Sequence, residues 1–188
     1  MPDELFDVIN EQDQVVGQEM RSIVHQRGLW HRGAHVLLFS ADDKLIVQQR
    51  SRNKSQSPLA LDCSVSEHVT AGEDYLQAAT RGLSEELGMT NIELTPIVKF
   101  KMNYGPNDNE ISMIFKGIAD LASVLFDPEE IERVGAYSIE ELQIIMEQKP
   151  ENFSYWFGQI TLWLLDKPSA LQVMNNGNEK YLMPNSGI

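Results

Sequence analysis

The sequence predicts a single α/β (α+β) domain, and three observations carry that prediction. The chain has 188 residues, enough for one domain with a core of its own. Short β-branched and aromatic runs, bounded by Gly, Pro, Asn and Asp clusters, read as paired strands. Between them lie a few segments of three- and four-residue apolar spacing, which read as helices.

The elements follow in order. "LFDVIN" and "QVVGQEM" flank the polar turn "EQDQ" and predict an N-terminal hairpin over 4–20. "AHVLLFS" and "KLIVQQR" flank "ADD" and predict a stronger one. "RSRNKSQSP" is a basic loop ending at Pro58, and "LDCSVSEHV" is strand-like. A helix follows over about 73–88, opened by Gly72 and Glu73 and closed by Gly88 in a position suited to a left-handed cap. Leu76, Ala79, Leu83 and Leu87 form its expected buried stripe. "IELTPIVKFKMNY" and "EISMIFKGIA" read as strands around "GPNDN". "SIEELQIIMEQ" is a helix with a capping box from Ser138 and Glu141. "FSYWFGQITLWLLD" is a last amphipathic helix, stopped near Pro168. The domain is thus expected over 1–168, and 169–188 reads as a polar, poorly ordered tail.

Charge and composition exclude some classes. Net charge is −13, which disfavours a groove for long nucleic acid. An acidic chain that handles small phosphates needs a divalent cation to supply positive charge. No apolar run is long enough to cross a bilayer, no secretory signal is visible, and the single Cys63 allows no internal disulfide. A cytoplasmic location is expected.

The helix carries the first chemical signal. At about 100° per residue, positions 82, 85 and 86 share one side of it. Carboxylates there, from Glu85 and Glu86, are hard oxygen ligands suited to Mg²⁺ or Mn²⁺. The plainer reading is an i,i+4 pair between Arg81 and Glu85 with Glu86 solvated. Gly82 on the same side costs about 1 kcal/mol of helix propensity relative to Ala.

The surrounding residues resemble the Nudix box: Gly, five residues, Glu, seven residues, Arg-Glu-apolar-x-Glu-Glu-x-Gly-apolar. Glu73, Arg81, Leu83, Glu85, Glu86, Gly88 and Met89 fall on matching positions. Glu67 stands where the first glycine would be, and Gly82 stands where the glutamate after the arginine would be. The resemblance implies a Nudix fold, a mixed β-sheet sandwiched between helices with a loop-helix-loop box. It also implies cleavage of a diphosphate linkage with a metal held by Glu85 and Glu86. Glu73, Arg81 and Gly88 would be structural.

Outside the box, "HQRGLWHRG", "QQRSRNKSQSP", "SEHVTAGE" and "NDNEI" are similar to the branch related to type I isopentenyl diphosphate isomerase. That similarity implies a metal site from His25, His31, His68, Asp108 and Glu110. It also implies a diphosphate grip from Arg50 and Lys54, with Arg52 assisting. The plainer readings are strand-end histidines with backbone partners and a solvated basic loop. The isomerases use a cysteine and a glutamate as their acid–base pair. Glu110 matches the glutamate, but the cysteine position falls on Ser66, and Cys63 lies three residues earlier.

Three functions are therefore expected in order. The first is a metal-dependent hydrolase of a small diphosphate compound, with Glu110 or Glu130 as base. The second is an isopentenyl diphosphate isomerase or close relative. The third is a binding module that kept the fold without the chemistry. Tyr104, Trp30 and Trp156 are candidates for stacking on a base, though such aromatics are more often core.

Overall fold

The computed structural model describes residues 3–174. Its centre is an eight-stranded mixed sheet. β1 (Leu5–Ile9) and β2 (Val15–Met20) form a separate antiparallel hairpin, and α1 (Arg21–Arg27) follows. β3 (Trp30–Phe39) and β4 (Leu45–Arg50) come next, then β5 (Leu61–Asp62) and β6 (Val65–His68). α2 (Tyr75–Leu87) precedes the long hairpin of β7 (Thr95–Gly105) and β8 (Asp108–Ile118). β9 (Ile131–Tyr137), α3 (Ile139–Gln148), α4 (Tyr155–Leu164) and β10 (Gln172–Val173) complete the chain order.

The sheet runs β10-β7-β8-β3-β4-β5, with β6 on β3 and β9 on β4. β3 and β8 are parallel over ten residue pairs, from Trp30↔Asn109 to Phe39↔Ile118. The other pairings are antiparallel. β3 is buried on both faces, which explains its near-continuous apolar run. Val36 and Leu38 join Ala78, Ala79, Leu83 and Leu87 of α2 in one core. Leu37, on the other face, joins Phe100, Leu142, Phe157 and Ile160 in a second core under α3 and α4. The sheet therefore lies between helices.

α2 shows where local sequence rules gave way. Its N-cap is Asp74, in a capping box with Gln77, so Gly72 and Glu73 belong to the preceding turn rather than the helix. Leu76 is 47% exposed, while Ala78, Gly82 and Glu86 are buried. Small residues, Ala78 and Gly82, mark where α2 packs closely on β6, beside the buried Leu83 and Leu87. Gly88 ends the helix at φ 64°, with its N–H donating to Leu83 O.

Three elements lie outside the sequence reading: α1, β9 and β10. Within the segment read as a polar tail, Leu171 packs into the second core and Gln172–Val173 pair with β7. The remainder of that tail, 175–188, lies outside the described residues. "LDCSVSEHV" divides into β5 and β6, with Cys63 and Ser64 buried at the break.

Candidate metal centre and diphosphate pocket

Strand alternation assembles the centre. Successive side chains on a strand point to opposite faces. His31, Gly33 and His35 therefore share one face of β3. Register sets Glu110 beside His31, Ser112 beside Gly33, His68 across from Gly33 and Ser66 across from His35. Glu67, between Ser66 and His68, points the other way, toward α2.

Five of the seven sequence-predicted metal ligands converge here. His31 Nε2 is 3.5 Å from Glu110 Oε1 and 3.8 Å from Asp108 Oδ1. His68 Nε2 is 3.5 Å from Glu110 Oε1, and His25 Nε2 is 3.5 Å from Asp108 Oδ1. His25 arrives from α1, a helix too short to show periodicity. Its stop signals are the Gly28 cap at φ 64° and basic His25 and Arg27 in the last turn. Phe6 of β1 is fully buried and supports the set, with its ring centroid 5.5 Å from His31 and 5.0 Å from His68. The hairpin carrying Phe6 is pinned by Arg32, whose Nε donates to Asp13 at 2.6 Å.

The electrostatics fit a cation. Leu29 O lies 3.2 Å from His31 Nδ1 and accepts its hydrogen, which leaves the Nε2 lone pair facing two carboxylates. His31 Nε2 and Asp108 Oδ1 are buried atoms with no hydrogen-bond partner among the described residues. Burial opposes charge on His31, but Glu110 overcomes it and raises the imidazole pKa. Burial also opposes charge on Glu110, yet His31 and His68 hold it well below the carboxylate range. Imidazole nitrogens mixed with carboxylate oxygens suit Mn²⁺, Zn²⁺ or Mg²⁺. Gly33 makes the packing possible. A Cβ there would lie 2.2 Å from Glu110 Oε2 and 2.9 Å from Ser112 Oγ.

Glu85 and Glu86 do not join this cluster. Glu85 is the exposed i,i+4 partner of Arg81 at 3.3 Å, with a side chain 60% exposed. Glu86 is buried, and Gln48 Nε2 donates to its Oε2 at 2.9 Å. Burial, with the nearby Glu67 carboxylate, pushes Glu86 well above its usual range. Glu85 and Glu86 thus stand outside the groups of converging ligand atoms that share His31, while lining the same cavity as His68, Asp108 and Glu110. Arg81 ties the box together, donating to both oxygens of Glu73 (3.0 and 3.1 Å), to His68 O (2.9 Å) and to Glu67 (3.1 Å).

Both groups open on one cavity of about 310 Å³. Arg50 and Lys54 line it together with His68, Glu86, Tyr104 and Glu110. Arg50 Nη1 donates to Asp62 Oδ2 at 2.8 Å, and its guanidinium sits 5.1 Å from the Trp156 ring centroid. Lys54 pairs with Glu130, which leaves Glu130 a partner of the loop lysine rather than a free base. Arg52 bonds Glu132 and is exposed, away from the cavity. Trp156 donates to Asp62 Oδ1 at 2.6 Å and stands edge-on to Tyr104. Trp30 lies under Lys101. None of the three candidate stacking aromatics presents a free platform.

His35, read from the sequence only as a strand-end histidine with a backbone partner, instead bonds two side chains of the site. It lines the cavity with Nδ1 3.1 Å from Ser66 Oγ and Nε2 3.1 Å from Tyr104 OH. Ser66 Oγ donates to Asp62 Oδ1 at 3.2 Å. Either His35 Nδ1–H donates to Ser66 and Tyr104 donates to Nε2, or Nε2–H donates to Tyr104, which then donates to Ser112. Burial lowers the His35 pKa and keeps the ring neutral. Cys63 is fully buried in the second core, with its thiol pKa raised by that burial.

Among known proteins, the family model described as NUDIX domain matches residues 29–157. The isopentenyl-diphosphate Delta-isomerase of Serratia proteamaculans is 31% identical over 159 residues, 82% of this chain and 88% of that protein. The enzyme of the same name from Pectobacterium atrosepticum is 29% identical over 154 residues, 80% and 85% of the two chains. An uncharacterized Nudix hydrolase of Pseudomonas aeruginosa is 34% identical over 128 residues, 68% and 75%. A crystal structure of a Deinococcus radiodurans protein superposes with a TM-score of 0.67 at 28% identity, covering 78% of this chain and 90% of that one.

Proposed function

This chain belongs to the NUDIX domain family, and on that premise we propose that it is a divalent-metal-dependent hydrolase of a small diphosphate compound. The observation that supports this most is the convergence of three imidazoles and two carboxylates, with two buried atoms unpartnered, at a cavity whose wall carries Arg50 and Lys54. His25, His31, His68, Asp108 and Glu110 would hold the metal. A bound divalent cation supplies positive charge that polarises phosphoryl oxygens and acidifies water. Arg50 offers a planar, two-pronged donor to the diphosphate, prepositioned by Asp62 and Trp156. Lys54 adds a point charge. Glu86, buried on the cavity wall with its pKa raised by that burial, is placed to exchange a proton with a leaving group or water.

Hydrolysis is preferred over isomerisation because the thiol position holds Ser66, whose hydroxyl proton is directed at Asp62 rather than into the cavity. Cys63 is sealed in the core and cannot substitute. The isomerase reading keeps one specific support: Glu110 and Tyr104 face the cavity, linked through Ser112, in a chain that continues to His35 and Ser66. The two separate in one assay. The protein is incubated with Mn²⁺ and a panel of nucleoside diphosphates, nucleotide sugars and isopentenyl diphosphate in D₂O. Phosphate release from any of them without deuterium incorporation is the expected result. Deuterated isomer without phosphate release overturns the hydrolytic reading.

A further inference from the structure

A second cavity, of about 340 Å³, is walled by β4, β5, β9 and the C-terminal end of α3. That size falls within the range of small-molecule sites, roughly 300–1,000 Å³. Strand alternation separates it from the first. On β4, Gln49 lines the second cavity while Arg50 lines the first. On β5, Leu61 lines the second while Asp62 turns the other way to hold Arg50.

Its charge is the reverse of the chain's. Net charge is −13 and many carboxylates line the first cavity, yet no Asp or Glu lines the second. Arg133 of β9 and Lys149, the C-cap of α3, do line it. Among the described residues, the cations with no carboxylate partner are Arg27, Lys116, Arg133 and Lys149, and two of them share this one wall. Like charges on one wall favour an anion between them. Arg133, Gly135 and Tyr137 fall on one face of β9. A Cβ built on Gly135 would lie 3.0 Å from Tyr137 Cε2 and 3.3 Å from its hydroxyl, so the ring takes the space above that glycine, next to Arg133. Gln49, opposite Arg133, donates to Leu59 O at 2.7 Å and fixes the facing wall. Leu59 is held at φ 61°, a left-handed conformation that costs a leucine energy, and its side chain is left 45% exposed.

We propose that this cavity is a second ligand site, for a small organic anion that carries an apolar tail. Arg133 and Lys149 receive the carboxylate or phosphate head, and Tyr137 offers it a hydroxyl donor. Leu59, Leu61 and Ile145 take the tail, which covers the exposed leucine. The site is independent of the hydrolytic reading, because the two cavities share no lining residue.

The test is a nuclear magnetic resonance titration of the ¹⁵N-labelled full chain, with Mg²⁺ and imidodiphosphate present to occupy the first cavity. The probes are hexyl phosphate, hexanoate, inorganic phosphate and hexanol. At least one hexyl anion is expected to shift the backbone amides of Leu59, Leu61, Arg133 and Lys149 saturably, and the tighter of the two identifies the head group. Inorganic phosphate and hexanol should each bind at least tenfold more weakly. The double variant Arg133→Glu/Lys149→Glu, at two exposed positions, should weaken the hexyl anion at least tenfold with an unchanged melting temperature. Leu59→Ser should weaken the hexyl anion and leave inorganic phosphate as it was. Wild-type affinity in either variant overturns the proposal. So does inorganic phosphate or hexanol binding as tightly as the hexyl anions. Shifts confined to the amides of Arg50 and Tyr104, or no saturable shift at all, overturn it as well.

Discussion

Replacing Gly33 by alanine tests how tightly the histidine centre is built. The added methyl would lie 2.2 Å from Glu110 Oε2 and 2.9 Å from Ser112 Oγ. Both partners are buried, at 7% and 0% exposure, and Glu110 is flanked by His31 and His68, so neither can swing out freely. Forcing one methyl into a packed site costs about 1–3 kcal/mol. For a chain of this size each kcal/mol is worth about 2–4 °C, so the metal-free protein should melt about 2–12 °C lower. The displaced Glu110 carboxylate should also weaken Mn²⁺ binding by about 10–100-fold, the range seen when a ligand loses its orientation. Thermal denaturation with chelator, and a Mn²⁺ titration, measure the two effects separately. An alanine variant with wild-type melting and wild-type Mn²⁺ affinity would refute the packing of Glu110 over Gly33.

Asp62 is fully buried and accepts from Arg50, Ser66, Trp156 and the Cys63 N–H. Asp62→Ala leaves a largely buried guanidinium unpaired and should cost about 3–5 kcal/mol in a denaturant titration. pH acts on the metal-free centre through His31 and Glu110. The raised His31 pKa gives stability fully present below the imidazole's ordinary value of about 6.5, and lost as pH rises through the folded value. The depressed Glu110 pKa gives stability present above about 4.3, and lost as pH falls through its folded value. The metal-free protein should therefore lose stability as pH rises past about 6.5 and through the folded His31 value, while Mn²⁺, which displaces the His31 proton, stabilises it increasingly over that interval. Calorimetry at several pH values, with and without Mn²⁺, checks both slopes. Ser66→Cys puts a thiol at the cavity beside His35, and should bring deuterium incorporation into isopentenyl diphosphate above the wild-type level.

Much of the fold was legible because its signals are local. The β3–β4 and β7–β8 hairpins lie between long apolar runs and turn residues, and the α3 capping box needs only Ser138 and Glu141. The histidine set was legible from its resemblance, since strands deliver alternate residues to one face whatever the loops do. The missed parts depend on tertiary contacts. α1 is seven residues long and is held by the hairpin before it, so no periodicity marks it. Counting leucines along α2 placed Leu76 inside, whereas close approach to β6 selected Ala78, Gly82 and a buried Glu86. Charge alone grouped Arg52 with Arg50 and Lys54, but Arg52 lies in the turn after β4 and reaches outward to Glu132. His35 carried no signal beyond its residue type, because its partners Ser66 and Tyr104 are 31 and 69 positions away.

Crystals of the protein soaked in MnCl₂ and measured at the manganese edge test the histidine centre most directly. The structure predicts an anomalous peak without added pyrophosphate, enclosed by Nε2 of His25, His31 and His68 and by the Asp108 and Glu110 carboxylates. No peak there, or one held by the α2 carboxylates with the three imidazoles turned away, would contradict it.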